Sequence, residues 1–181
     1  MRIIAGEFKG RLLKAPTWDG LRPTSDRLRG TLFDILGPSI HSARVLDGYA
    51  GTGAIGIEAL SRGAAHVTFV DSDSRAIRLI GRNIESLTPL APNRYAIIRA
   101  DLTDVARRLD GPFDLVIVDP PYEPHGVERA LEAAARLAGP ATRIVVEHAK
   151  RYPAPGAHAA FALQRRVVAG DSALAFYRRG E

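Results

Sequence analysis

Residues 113–122 have the sequence FDLVIVDPPY, an apolar run that stops at an acid, two prolines and an aromatic residue. A short apolar run that is rich in β-branched residues and ends at an acid predicts a buried central strand of a parallel sheet. Ligands of such sheets bind beyond the carboxyl ends of the strands, which is where Asp119 falls. The stretch therefore predicts an open α/β sheet with a ligand site at Asp119.

The four residues after this strand suit a site for a reacting amine. Pro120 and Pro121 fix φ and remove two N–H donors, so the loop is stiff and its carbonyls can accept hydrogen bonds. The Asp119 carboxylate and the Pro120 carbonyl could draw the delocalised lone pair of a nucleobase amine toward a tetrahedral geometry. Tyr122 would stack on the base, a contact worth roughly 1–3 kcal/mol. A strand end with a proline-rich turn is the simpler interpretation, but these four residue types together favour the site.

Strand and helix patterns alternate from Arg44 onward, which predicts a parallel sheet with helices on both faces. The last two predicted strands are joined by Ala169-Gly170-Asp171, as in a hairpin, so one of them is antiparallel. An additional helix is predicted after the candidate caps Thr24 and Ser25, and a small β-hairpin at residues 2–14. The predicted strands lie at about 44–48, 66–70, 95–98, 113–118, 143–147, 160–168 and 172–178, and the predicted helices of the alternating part at about 53–62, 74–87, 103–109 and 126–138.

Length and composition predict one globular α/β domain with a well-formed core. The 181 residues suit a single domain, with residues 1–21 as a basic N-terminal hairpin extension and residues 22–181 as the catalytic core. There is no cysteine, and the five histidines lack ligand spacing, so no metal is expected. We expect a cytoplasmic protein, because no apolar stretch reaches the length of a membrane span and the N-terminus has no signal-peptide pattern.

Basic residues exceed acidic ones by 25 to 20, and the excess lies mostly near the N-terminus. Residues 1–30 contain seven basic and three acidic residues. A basic segment of this kind is typical of nucleic-acid binding, although a solvated basic face would have the same composition. The candidates for phosphate contacts are Arg2, Lys9, Arg11 and Arg27, and we expect RNA binding to weaken steeply with salt.

The loop after the first strand matches a dinucleotide-binding pattern in its glycines. Gly51, Gly53 and Gly56 have the required spacing, and Asp71 follows Gly51 by twenty residues, where a ribose-binding acid belongs. Asp47, however, would repel a pyrophosphate at this helix N-terminus. S-Adenosylmethionine has an ammonium and a sulfonium in place of the phosphates, so the sequence favours it as the cofactor.

Four aspartates end the first four strands and are predicted to lie along one edge of the sheet. Asp71 would accept hydrogen bonds from both ribose hydroxyls, and Asp101 from the adenine amine. Asp119 would border the cofactor as well as the amine. Each acid taken alone is more often a helix cap or a turn residue, but four in register, Asp47, Asp71, Asp101 and Asp119, are hard to explain by capping.

These motifs resemble class I S-adenosylmethionine-dependent methyltransferases, and more narrowly the bacterial RsmD-type family. The resemblance implies a Rossmann-like, doubly wound sheet of seven strands, mostly parallel with an antiparallel last strand. It also implies methylation of the N2 amine of a guanine in 16S ribosomal RNA, with that RNA or an assembling 30S particle as partner, and places Arg22 and Thr24 against the cofactor. The matching segments are 2–6, 9–11, 22–27, 50–53, 58–64 and 119–122.

Two residues depart from the family pattern. Gly48 stands where such proteins more often have a bulky apolar residue, and Gly30 where they usually have a charged helix former. Neither residue belongs to the predicted chemistry, so these departures concern stability.

Other functions remain open at this point. Within the same class, the acceptor could be adenine or cytosine in DNA, or a glutamine in a protein. From other classes, the glycine pattern allows an NAD-dependent oxidoreductase, and the basic N-terminus allows a non-catalytic RNA-binding factor. The oligomeric state is not predicted.

Overall fold

The computed structural model describes residues 1–18, 24–87 and 89–180. Within these ranges there are eight strands and five α-helices, with two additional 3-10 helices at Gly37–Ile40 and Pro92–Arg94. The helices are α1 (Asp26–Leu36), α2 (Ala54–Ser61), α3 (Ser74–Glu85), α4 (Leu102–Val105) and α5 (Gly126–Arg136). The strands are β1 (Arg44–Gly48), β2 (His66–Asp71), β3 (Tyr95–Arg99), β4 (Phe113–Val118), β5 (Ala138–Ala149), β6 (Ala157–His158), β7 (Phe161–Ala169) and β8 (Ser172–Arg179).

The chain divides into two compact units, residues 1–100 and 101–181. In the first unit the strands are parallel in the order β3-β2-β1, and every residue of α2 is buried. Gly56 allows α2 to lie directly on β2, because a Cβ atom there would be 2.3 Å from Cε1 of Phe69. The side chain of Ser25 caps α1 by accepting a hydrogen bond from the N–H of Leu28, as one of the two candidate caps was expected to do.

In the second unit the strand order is β4-β5-β8-β7-β6. β4 and β5 are parallel, whereas β8 is antiparallel to both of its neighbours, β5 and β7. The buried residues of β4, Phe113 and Leu115–Val118, form the apolar strand that precedes the Asp119 loop.

The predicted fold class is confirmed, since the described strands form one mixed α/β sheet with an antiparallel last strand. The sheet has eight strands among the described residues, one more than predicted, because Ala157–His158 pairs with the start of β7. β5 is longer than the predicted 143–147, since a register shift after Phe113 accommodates its Gly139-Pro140 start. α4 is shorter than the predicted 103–109, because its regular part ends at Val105 and turns follow.

No helix in the described part of the chain is both long and apolar enough to span a membrane.

Candidate functional site

The glycine loop of the first unit has a left-handed backbone at two of its glycines. Gly51 and Gly53 have φ values of 56° and 75°, in the left-handed region that favours glycine. A Cβ atom on Gly53 would also lie 3.1 Å from Cγ1 of Ile80. Gly53 is the N-cap of α2 and has no side chain, and the N–H of Ala54 donates instead to Oγ1 of Thr52 at 3.3 Å.

Asp47 is buried beside this loop, with only 2% of its surface exposed. Its Oδ2 accepts a hydrogen bond of 2.8 Å from the N–H of Gly56. Burial raises the pKa of Asp47 to about 8, the Gly56 N–H lowers it, and the nearby Asp71 carboxylate raises it further. The carboxyl group is therefore largely protonated at neutral pH, so its charge is a weaker argument against a dinucleotide than the sequence suggested.

Asp71, at the end of β2, fixes the shape of the loop. Its Oδ2 accepts from the N–H of Gly51 and its Oδ1 from the N–H of Asp73, both at 2.8 Å. The structure thus brings together Asp47, Asp71, Gly51 and the N-terminus of α2. Each Asp71 oxygen keeps a second lone pair, so the predicted bonds to ribose hydroxyls remain compatible with this geometry.

Asp101 lies in the second unit and caps α4. Its Oδ1 accepts from the backbone N–H of Thr103 at 2.8 Å and from the Thr103 hydroxyl at 2.6 Å. The capping alternative is therefore realised at this position. The side chain is exposed, and its contact with adenine stays a prediction.

The loop after β4 is held rigid by its own backbone. Pro120 is buried, and the carbonyl of Pro121 accepts from the N–H of Glu123 at 2.8 Å. A Cβ atom on Gly126 would be 2.7 Å from that same carbonyl, so α5 begins tightly against the loop. Asp119 is half-buried at its first position.

The Tyr122 side chain is anchored at its hydroxyl group. The hydroxyl lies 2.9 Å from Oγ of Ser172 and donates to Oε1 of Glu147 at 3.4 Å. Burial, with added effects of the Asp119 and Glu147 charges, raises the pKa of Tyr122 well above its usual range. The structure therefore groups Asp119 and Tyr122 with two residues that the sequence analysis missed. The sequence did contain one sign of this group, because Glu147 is an acid inside the apolar run of β5. In the structure Glu147 is only 3% exposed.

Two predicted cofactor residues, Arg22 and Thr24, precede α1 in the sequence. Arg22 falls outside the described residues. Thr24 is half-buried and precedes Ser25, the N-cap of the helix. Their contacts with the cofactor stay predictions.

The N-terminal segment, residues 1–14, is bound to α2 through its backbone. It contains one antiparallel bridge, Arg2 to Leu12, where a hairpin was predicted. Glu58 accepts from the N–H groups of Ile4 and Ala5, at 2.8 and 3.0 Å. Further bonds join it to Ser61, whose carbonyl accepts from the N–H of Glu7 and whose hydroxyl accepts from that of Phe8. The family signature at residues 58–64 thus holds this segment in place, a role that sequence patterns alone did not reveal.

Asn83 connects the N-terminal segment to the glycine loop. Its side chain is 1% exposed and accepts from the N–H of Lys14 at 2.8 Å. Its amide nitrogen donates to the carbonyl of Thr52, between Gly51 and Gly53, at 3.0 Å. This residue was also missed, because an asparagine within an amphipathic helix carries no distinguishing pattern.

The four candidate RNA-binding residues, Arg2, Lys9, Arg11 and Arg27, are all exposed. The Arg11 guanidinium lies 5.2 Å from the centroid of the Phe8 ring and donates to the carbonyl of Ser86 at 3.2 Å. Arg11 is therefore the one of these four with a side chain bound to the end of α3.

A cavity of about 420 Å³ lies in the second unit. None of the residues that line it belongs to the Asp119-Pro120-Pro121-Tyr122 loop. Glu132 in its wall is 2.7 Å from Arg136 and 3.0 Å from His158. Glu132 is therefore already bound by two neighbouring side chains of the same wall. Within the described residues, no group of three or more acidic or histidine side chains is arranged to hold a metal ion.

Comparison with known proteins places the chain in a family. The family model described as "Conserved hypothetical protein 95" matches residues 1–178. The Ribosomal RNA small subunit methyltransferase D of Escherichia coli is 37% identical over 182 residues, covering 99% of this chain and 90% of that protein. The protein of the same name from Haemophilus influenzae is 39% identical over 132 residues, covering 72% and 68%.

A solved structure agrees with these matches. The Escherichia coli protein yhhF has a TM-score of 0.86 and 34% identity, with 99% of this chain and 97% of that chain covered. The match covers nearly the whole chain, including the N-terminal segment. The chain belongs to the RsmD family.

Proposed function

We propose that this protein transfers a methyl group from S-adenosylmethionine to the N2 amine of a guanine in 16S ribosomal RNA. Family membership and the names of the relatives support a small-subunit ribosomal RNA methyltransferase. The choice of an amine as acceptor is carried by one observation, the rigid Asp119-Pro120-Pro121-Tyr122 loop at the end of a buried strand.

The residues of the first unit fit the cofactor. Glycine backbone at Gly51 and Gly53 lets a ligand lie close to the N-terminus of α2. Burial makes the charged form of Asp47 costly, and a cationic ammonium beside it would relieve that cost. Asp71 offers lone pairs to ribose hydroxyls, and Asp101 is assigned to the adenine amine. When bound, S-adenosylmethionine supplies an electrophilic methyl group on a positively charged sulfur.

The residues of the second unit act on the acceptor. The Asp119 carboxylate and the Pro120 carbonyl accept hydrogen bonds from the guanine amine and orient its lone pair. Tyr122 stacks on the base, and its bonds to Ser172 and Glu147 keep the ring in place. The new bond joins nitrogen to the methyl carbon, and the electrons of the broken carbon–sulfur bond stay on sulfur. The proton released from nitrogen passes to Asp119 or to water.

Positioning supplies much of the rate in such a transfer, since no covalent intermediate with the protein is needed. The guanine must be unpaired or leave its stack, which costs a few kcal/mol. With a ribosomal RNA substrate, free or in an assembling 30S particle, the protein would act in the cytoplasm.

The test uses labelled S-adenosylmethionine with four parallel acceptors: small ribosomal subunits, their deproteinised RNA, duplex DNA and a release-factor protein. Nucleoside analysis should find N2-methylguanosine in the ribosomal samples. Asp119→Ala should abolish the label, whereas Asp34→Ala, which changes an exposed aspartate on α1, should leave it unchanged.

Other distributions of label would contradict the proposal. Label only in DNA or protein would keep the reaction class and change the substrate. Absence of label in every sample, together with absence of cofactor binding, would favour an oxidoreductase or a non-catalytic RNA-binding factor.

A further inference from the structure

Three arginines form a row on the exposed face of α3. Arg75, Arg78 and Arg82 are spaced three and four residues apart, so they lie on one side of the helix. All three are exposed, whereas the opposite side of α3 is buried in the first unit. None of them was among the residues that the sequence analysis assigned to RNA.

The row continues into the N-terminal segment. Arg11 donates from Nη1 to the carbonyl of Ser86, which is one helical turn beyond Arg82. Its guanidinium is therefore held at the C-terminal end of α3, four residues past Arg82 in the chain. We call Arg11, Arg75, Arg78 and Arg82 the α3 ridge. From residue 75 to residue 86 the helix rises about 16 Å.

The charge of the ridge is only partly neutralised. Arg75 forms an ion pair with Asp73, with Nη2 and Oδ2 2.7 Å apart. Arg78 and Arg82 form no ion pair or hydrogen bond within the described ranges, although Arg78 lies close enough to Asp73 to help lower the pKa of that carboxyl group. Residues 1–100 hold 14 of the 25 basic and 9 of the 20 acidic residues, while residues 101–181 hold 11 of each. The net positive charge of the chain thus belongs to the unit that carries the ridge.

An aromatic residue borders one end of the ridge. The Arg75 guanidinium lies 5.2 Å from the centroid of the Trp18 ring, a cation–π arrangement. Arginine planes and aromatic rings together are typical of surfaces that contact single-stranded nucleic acid. Trp18 is the only tryptophan in the sequence, so its fluorescence reports on this end of the ridge.

We propose that the α3 ridge binds the phosphodiester backbone of the RNA whose guanine is methylated. The inference rests on the proposed function for the identity of that RNA. Guanidinium groups bind phosphate through paired N–H donors, and a row of them suits a linear polyanion better than a compact anion. Continuity with Arg11 makes the ridge an extension of the basic N-terminal segment along α3.

The test compares the full-length protein with Arg78→Gln/Arg82→Gln. Glutamine keeps the helix propensity close to that of arginine, so α3 should stay folded. Arg129→Gln/Arg136→Gln is the control, because it removes the same charge from exposed positions of another helix, α5. Binding of a fluorescein-labelled fragment of 16S ribosomal RNA is followed by anisotropy from low to high KCl.

We expect the ridge variant to bind RNA more weakly than the wild type does, whatever the sequence of the RNA fragment. The plot of log affinity against log salt should become shallower by about 1.4, which corresponds to two lost phosphate contacts on single-stranded RNA. The control should retain the wild-type slope. Cofactor affinity and kcat at saturating RNA should be unchanged, while KM for RNA rises. RNA should also change Trp18 fluorescence in the wild type.

A ridge variant with the wild-type slope and affinity would overturn the proposal. So would a variant that binds naked RNA normally but loses activity on assembled subunits, since that result would indicate a protein contact. If the wild type methylates no RNA and yet shows ridge-dependent binding, the proposed reaction fails and the RNA-binding surface stands.

Discussion

Asp47 is a carboxyl group in the core of the first unit, and its protonation links stability to pH. Its pKa is raised from 3.8 to about 8 when the chain folds, mainly by burial. The folded state therefore binds a proton that the unfolded state has released. This contribution to the free energy of unfolding is fully present below about pH 4 and is lost as the pH rises through about 8.

Asp47→Asn should remove that dependence. Asparagine keeps an oxygen that can accept from the Gly56 N–H and does not titrate. We expect wild type to lose stability relative to the variant between pH 5 and pH 8. Urea unfolding at several pH values measures the free energy of unfolding of both proteins. At each pH, the difference between wild type and variant cancels the contributions of other titrating groups, such as His66 and His148. A difference that is constant over this range would contradict the raised pKa.

Tyr122 is predicted to have two separable roles, carried by its ring and by its hydroxyl. Tyr122→Phe keeps the stacking ring and removes the two hydrogen bonds of the hydroxyl, to Ser172 and Glu147, so kcat/KM should fall by less than about tenfold, which is less than about 1.4 kcal/mol of transition-state stabilisation. Tyr122→Ala also removes the stacking surface, and kcat/KM should fall by a further factor between about 5 and 150. Steady-state methylation assays test both variants. Equal losses in the two would show that the hydroxyl, and not the ring, matters.

At the scale of elements, the two glycines in α1 and α2 should respond oppositely to alanine. In Gly30 the nearest atom to a new Cβ is Cδ1 of Ile4 at 3.8 Å, an ordinary contact. Gly30→Ala should therefore raise the free energy of unfolding by about 0.5–1 kcal/mol through helix propensity. In Gly56 the new Cβ would meet the Phe69 ring at 2.3 Å, so Gly56→Ala should destabilise by roughly 1–3 kcal/mol.

Chemical denaturation of both variants measures these changes. A destabilised Gly30→Ala would indicate that α1 needs a glycine for a reason other than packing against Ile4. It would also mean that the structure around position 30 requires a glycine where the family usually has a charged helix former.

Element bounds were predictable where one physical signal dominated. β4 was predicted at its observed bounds because its apolar run is interrupted only by Asp114 and ends at Asp119. β5 was not, because Gly139 and Pro140 are breakers by composition and yet belong to the strand. The Thr142 hydroxyl makes this possible, since it accepts from the N–H of Gly139 and donates to the carbonyl of Phe113. A side chain that replaces ladder bonds leaves no periodic pattern.

At the scale of the whole molecule, the choice between cofactors can be tested through stability. A ligand that binds only the folded state raises its stability by about 2.7 kcal/mol at 100 times Kd. For a chain of this length we expect S-adenosylmethionine to raise Tm by roughly 5–10 °C at that excess. NAD and NADH should leave Tm unchanged. Thermal denaturation with each compound checks this, and the opposite pattern would favour the oxidoreductase.

The sequence revealed the types of residue at the candidate site better than their interactions. Asp119 and Tyr122 could be found because their spacing follows the end of a strand. Glu147 and Ser172 could not, because they come near Tyr122 only through the antiparallel pairing of β5 and β8. Likewise, the charge assumed for Asp47 depends on burial, which the identity of the residue does not give.

The N-terminal segment is fixed to Glu58 and Ser61 through its main chain, and this has a consequence for how the family can diversify. Hydrogen bonds to backbone N–H groups do not distinguish one side chain from another, so attachment imposes little selection on the outward positions Arg2, Lys9 and Leu12. Gly6 is the exception, because a Cβ atom there would lie 1.8 Å from the carbonyl oxygen of Ser61. The exposed side chains of this segment can therefore change, in evolution or by design, while its backbone hydrogen bonds to Glu58 and Ser61 stay the same.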